Sequence, residues 1–178
     1  MAEKRARERL LSAALDLFTE HGVTGTSLQM IADRLGVTKA AVYHQFPAKE
    51  EIVLAVIGPP LAELAPIAEA AQRRRTPAAR RTAALTGIID LVVRNRRIAA
   101  ALTFDPMVNQ LVRRHIAMEV LEQLQDLLTG PDPDDATRVA VTLVSGGLMI
   151  AGSDPRLAAL DDATLRDHLL ATARRALR

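Results

Sequence analysis

Residues 25–50 read GTSLQMIADRLGVTKAAVYHQFPAKE. In the first half, Leu28, Ile31, Ala32 and Leu35 fall on one face at helical spacing, the stripe of an amphipathic helix. Thr26 and Gln29 stand three apart ahead of it in the pattern of a capping box. Gly36 stops that helix, and Thr38 caps a second, very short one that reaches Tyr43 or His44 before Pro47 breaks the chain. Two short helices joined by a glycine turn make a helix-turn-helix, whose second helix has the dimensions to enter a DNA major groove.

The spacing divides that second helix into two faces. Val37 and Val42 are expected to point inward, while Lys39, Ala40, Tyr43 and His44 share the outer face. A cation, a small residue that permits close approach and two planar side chains with hydrogen-bonding tips suit base edges and phosphates. Thr26, Ser27 and Thr38 sit at helix starts, where hydroxyls and free N–H groups can hold phosphate. Gln29 lies in the first turn beside them, and Lys49 opens the next helix on the same side. Lys4, Arg5, Arg7 and Arg9 most simply form a solvated face paired with Glu3 and Glu8.

Outward from this core, Leu10, Ala14, Leu17 and Phe18 mark a helix over residues 3–21 that ends at Gly22. Gly58-Pro59-Pro60 is expected to end or kink a fourth helix, and residues 61–72 are helical again. Arg73-Arg74-Arg75-Thr76-Pro77 reads as an exposed connection. Helices follow at about 78–94, 95–103, 106–129, 136–151 and 162–177, and no strand is expected.

The run from Gly25 to Glu50 resembles the DNA-binding head of the tetracycline-repressor (TetR) family. The resemblance spans roughly the first fifty-five residues; beyond them only length and helix order agree. It implies an all-α fold, with a head at 1–48 and a ligand-binding and dimerisation domain at 49–178. It also implies a homodimer joined through the last two long helices, and DNA contact at Thr38, Lys39, Tyr43, His44 and Lys49. Two positions depart from the family pattern. Ala48 stands where a capping Ser or Asn is common, and Gly58-Pro59-Pro60 interrupts a helix that is usually continuous.

In the body the residues are less explicit. Phe104, Met107, Leu111, His115, Met118 and Met149 are candidates for a pliable apolar pocket, with His115 available to orient a polar ligand; helical core is the alternative. Gly146-Gly147, in mid-helix, each cost about 1 kcal/mol relative to alanine, which calls for a compensating reason. Close approach at a dimer interface supplies one, with Leu143 and Ile150 alongside and Leu165, Leu169, Ala173 and Ala176 as a matching stripe on the last helix. A kink or a gap beside the pocket is the alternative.

Composition narrows the classes. There is no Cys, which excludes disulfides, thiolate catalysis and cysteine-ligated metals. His21, His44, His115 and His168 have no metal-ligand spacing, and no nucleophilic triad or phosphate-cradling loop stands out, so neither enzyme, metal nor cofactor is expected. Residues 1–9 lack a signal peptide's apolar core, and the most apolar run, Val139–Ala151, is too short to span a bilayer. The expectation is a cytoplasmic protein without a membrane partner, released from a palindromic DNA operator by a small-molecule effector. An activator or a ligand-independent DNA-binding protein of the same fold remains open, as does, more remotely, a carrier or enzyme with a vestigial head.

Overall fold

The computed structural model describes residues 2–115 and 117–177, and the described residues form helices joined by short turns with no strand. The head comprises α1 (Ala2–Gly25), α2 (Leu28–Leu35) and α3 (Lys39–Gln45). The body follows as α4 (Lys49–Ala62), α5 (Leu64–Gln72), α6 (Pro77–Arg94), α7 (Arg96–Leu102), α8 (Pro106–Arg113), α9 (Ala117–Thr129), α10 (Asp135–Ala151) and α11 (Asp162–Ala176).

Two apolar clusters organise the chain. The first joins Leu10, Leu17 and Phe18 of α1 to Ile31 of α2, Val42 and Phe46 around α3, and Ile52, Val53, Val56 and Ile57 of α4. Leu102 of α7 and Val108 of α8 are buried in it as well, so the head is seated on the body over a shared core. The second cluster packs α5, α6, α9, α10 and α11 around Leu85, Ile89, Leu124, Val141 and Leu165. Arg81 clasps its far end, donating to the carbonyls of Thr129 (3.0 Å) and Leu177 (3.1 Å).

Local chemistry sets the boundaries. Gly22 adopts φ 71°, ψ 165°, a conformation open essentially to glycine alone, and one more turn follows before α1 ends at Gly25. The cap of α2 is one residue later than the capping-box reading. Ser27 Oγ accepts from the Met30 amide (3.2 Å), while Thr26 is buried and donates to the carbonyls of Gly22 (2.8 Å) and Leu17 (3.2 Å). Thr26 therefore finishes α1 and does not begin α2. Gln29 reaches forward instead, donating to Asp33 Oδ1 at 2.7 Å.

Two other expectations change. The helix expected over 106–129, a span that includes Ile116 outside the described residues, is divided into α8 and α9. No glycine or proline marks the division; His115 Nδ1 accepts from the Ala117 amide (3.1 Å), giving α9 a side-chain acceptor at its start. Gly58-Pro59-Pro60 does not end α4, which stays helical to Ala62 and turns only at Glu63. By length and composition alone, Lys49–Gln72 is apolar enough to cross a bilayer. Its apolar side chains Ile52, Val53 and Ile57 are nevertheless committed to the first cluster and Leu64, Ala68 and Ala71 to the second.

Replacing Thr26 with Val keeps the shape and removes the donor shared by two α1 carbonyls. The expected cost is about 1–3 kcal/mol of unfolding free energy, read from urea titration of the full chain. A cost near zero would show that the hydroxyl does not hold the end of α1.

Candidate nucleic-acid interface

Seven residues are too few for a helix to be stable alone, so α3 exists because it is capped and buried. Thr38 Oγ1 accepts from the Ala41 amide (3.2 Å), and Val42 and Phe46 are inserted into the head core. Val37, expected inside, is 45% exposed: the tight turn after Gly36 (φ 66°) carries it outward and leaves Val42 as the buried anchor. Arg7 of α1 lies over the Phe46 ring at 4.9 Å, so one of the N-terminal cations has a packing role.

The outer face is assembled as the spacing implies. Lys39, Ala40, Tyr43 and His44 are all exposed, and so are Ser27, Gln29 and Thr38. The Lys39 ammonium sits 5.5 Å from the centre of the Tyr43 ring, which presents cation and aromatic as one surface. Two sequence candidates are placed elsewhere. Thr26 is buried with its hydroxyl engaged, and the Lys49 ammonium points back into the head, donating to the carbonyls of Val23 (2.6 Å), Thr26 (2.9 Å) and Thr24 (3.4 Å).

Behind the face, two exposed ion pairs bridge helices, one within the head and one from the body to α1. Arg34 of α2 makes a two-pronged contact with Glu20 of α1 (2.6 and 3.1 Å), and its hydrogen bonds hold the Glu20 carboxyl below the usual range. Arg97 of α7 pairs with Asp16 of α1 at 3.1 Å. The same Arg97 lines a cleft of about 320 Å³ bounded by α7, the end of α10, the loop after it and α11.

The proposed pocket residues are not gathered. Phe104 and Met149 face solvent, Met107 and Leu111 pack against the head cluster, and His115 caps α9. Neither these five nor Met118 lines the Arg97 cleft or the clefts of about 410 Å³ at the α6–α9 end and about 680 Å³ along α5 and α6. Helical periodicity identifies a face, but whether a face borders a cavity depends on neighbours the sequence does not name. Arg97 was missed for the same reason: only its partner across the fold distinguishes it from other surface arginines.

The dimer candidates separate into two sets. On α10, Leu143 and Ile150 are exposed, joined by Val139. Gly146 and Gly147 lie between them, and a Cβ added at either would meet no atom within 4 Å. That face is apolar and uncovered in the subunit. On α11, Leu165 and Ala173 are instead buried in the subunit's own second cluster, Leu169 is half-buried against it, and Ala176 is exposed. A stripe of apolar residues on a terminal helix is satisfied equally by its own body or by a partner, and here the body takes most of it.

Residues 10–56 match the family model for bacterial regulatory proteins of the tetR family. The likeness to the tetR family is carried by the head. The head is 43% identical over 54 residues to the uncharacterized HTH-type transcriptional regulator TtgW of Pseudomonas putida, and 45% identical over 56 residues to the HTH-type transcriptional regulator RutR of Escherichia coli. These matches take in 30% and 32% of this chain, and only 40% and 25% of those relatives' lengths. The likeness of fold extends further than the sequence match. SCO3833 of Streptomyces coelicolor superposes with a TM-score of 0.73 at 24% identity, covering 94% of this chain and 89% of that one. AibR, solved with isovaleryl coenzyme A and operator DNA, superposes at 0.65 and 19% identity over 93% and 96% of the two chains. At such identities the likeness is one of fold.

Since the α10 glycines meet nothing within the subunit, Gly146→Ala with Gly147→Ala is expected to favour the isolated helix by about 1 kcal/mol per site. Crowding at a two-fold contact would reverse that gain. For a dimer paired through α10, sedimentation should therefore show weaker pairing with an unweakened chain; an unchanged dimer constant rejects α10 as the close-approach face.

Proposed function

We propose that the chain is a dimeric DNA-binding transcriptional regulator, most simply a repressor released from a palindromic operator by a small molecule. The observation that carries this is the exposed Lys39–Tyr43 surface on a helix fixed from behind by Val42 and Phe46. Ser27, Gln29, Thr38, Ala40 and His44 complete the contact surface around it. The tetR-type head and AibR's complex with operator DNA support this assignment.

One seven-residue helix reads few base pairs, so specificity requires two heads on a two-fold dimer. The uncovered Val139, Leu143 and Ile150 face of α10 supports that pairing. The functional division is a head over 1–48 and a body over 49–178, with the first half of α4 packed on the head. For the effector we favour the cleft beside Arg97, because an anionic occupant that drew on this guanidinium would compete with Asp16 of the head. AibR's isovaleryl coenzyme A supports an effector of the acyl-thioester kind.

The experiment is a selection of source-genome fragments by the purified protein at near-physiological salt, followed by sequencing. An enriched palindrome is expected, with half-sites about 34–36 Å apart or a multiple of that spacing. Tyr43→Ala, an exposed change, should leave unfolding within about 0.5 kcal/mol of the parent and abolish the enrichment. Retained specificity in that variant would overturn the assigned face, and no enrichment by the parent would overturn the regulator reading.

A further inference from the structure

The first residue of α4 is a lysine, which is the unfavourable sign for a helix N-terminus. Glu50 and Glu51 offset this, and Ala48 gives the helix no side-chain cap. The cation itself turns away from its own helix and into the end of α1. An ammonium has three N–H donors, and three carbonyls surround this one: Val23 at 2.6 Å, Thr26 at 2.9 Å and Thr24 at 3.4 Å. No donor is left over for a phosphate.

These carbonyls belong to the last turn of α1 and, at Thr26, to the short connection that delivers α2. Within it Thr26 is buried, its amide donates to Val23 (3.3 Å), and its hydroxyl holds Gly22 and Leu17. One side chain from α4 therefore ties the last turn of α1 to Thr26, the residue before the α2 cap, and α2 in turn packs on α3. We infer that Lys49 is a positioning residue for DNA recognition: it fixes the angle at which α3 is presented, acting through the α1–α2 turn and touching no DNA.

This rests on the regulator reading, and it separates from a phosphate contact by what is lost. A phosphate-binding lysine contributes equally on every sequence and contributes to the salt dependence. A positioning lysine contributes only where the fit of α3 to bases matters. The test uses the full-length dimer with Lys49→Met, which keeps the stem and removes the donors, at a temperature well below its melting midpoint. Affinity is measured on the selected palindrome and on an unrelated duplex across a salt series. Operator affinity should fall at least tenfold, affinity for the unrelated duplex should hold, and the log–log salt slope should not change.

Equal losses on both duplexes, with the slope reduced by about 2 for the two heads, would make Lys49 a phosphate contact and overturn the inference. A lower melting point with the specificity ratio intact would reduce it to a stabilising group, which also overturns it. Amide exchange on the free dimer gives an arm that needs no DNA: the Thr26 amide should exchange at least tenfold faster in the variant, and unchanged protection would show that Lys49 does not hold the turn. If the parent itself prefers no sequence, the regulator reading fails, while the exchange result still decides whether the strap exists.

Discussion

Everything the head presents depends on burying two side chains of a helix that cannot stand alone. Val42 within α3 and Phe46 at its C-terminal cap are the buried apolar anchors of that helix. Propensity offers little over seven residues, since helix initiation is costly and there are few turns over which to recover it. The outward direction of Lys39, Ala40, Tyr43 and His44 is thus a consequence of what lies beneath. The core formed by Phe18, Ile31 and Ile52 sets the orientation of the exposed surface, and exposed residues can vary without disturbing it.

That dependence explains which parts of the structure were legible in the sequence. Helix order, the stop at Gly36 and the outer face of α3 follow from spacing, because periodicity and φ requirements are local; Gly22 marks a kink in α1 and not its end. Thr26, Lys49 and Val37 were misjudged at the level of side-chain direction. Thr26 and Ser27 are adjacent hydroxyls before the same helix, and nothing local says which caps α2 and which turns back to α1. Lys49 has the composition of a phosphate contact, and only the position of α1 shows that three carbonyls claim it. In the body, Leu165 and Ala173 read equally well as interface or core, and the division at His115 depends on an imidazole acting as a cap, a use with no sequence pattern to announce it.

The Gly58-Pro59-Pro60 segment shows a different kind of limit. A proline in mid-helix removes an N–H and crowds the preceding turn, but those penalties bend a helix as readily as they end it. Here the chain remains helical past both prolines and turns at Glu63. The more consequential boundary is in the packing. Ile52, Val53, Val56 and Ile57 belong to the head core, Leu64, Ala68 and Ala71 to the body core, and Leu61 touches both. The sequence marks the change of allegiance with its prolines without stating that two cores meet there.

A head joined only through α4 would swing about that boundary, and the body would have little hold over it. The structure removes this freedom by a second route. Leu102 and Val108, from α7 and α8, are buried among Leu10, Leu17 and Phe18, and Arg97 pairs with Asp16 on the same side of α1. The ion pair is exposed, and such a contact contributes little to stability; the apolar seat beneath it carries the attachment. A shift of α7 cannot leave α1 where it was, because close-packed side chains transmit displacement and do not absorb it. Through Thr26 and Lys49 the end of α1 is in turn tied to the connection that leads into α2 and to the first turn of α4. The path from body to α3 is therefore short and made of packed or hydrogen-bonded groups at each step, so a continuous α4 is not needed to connect them.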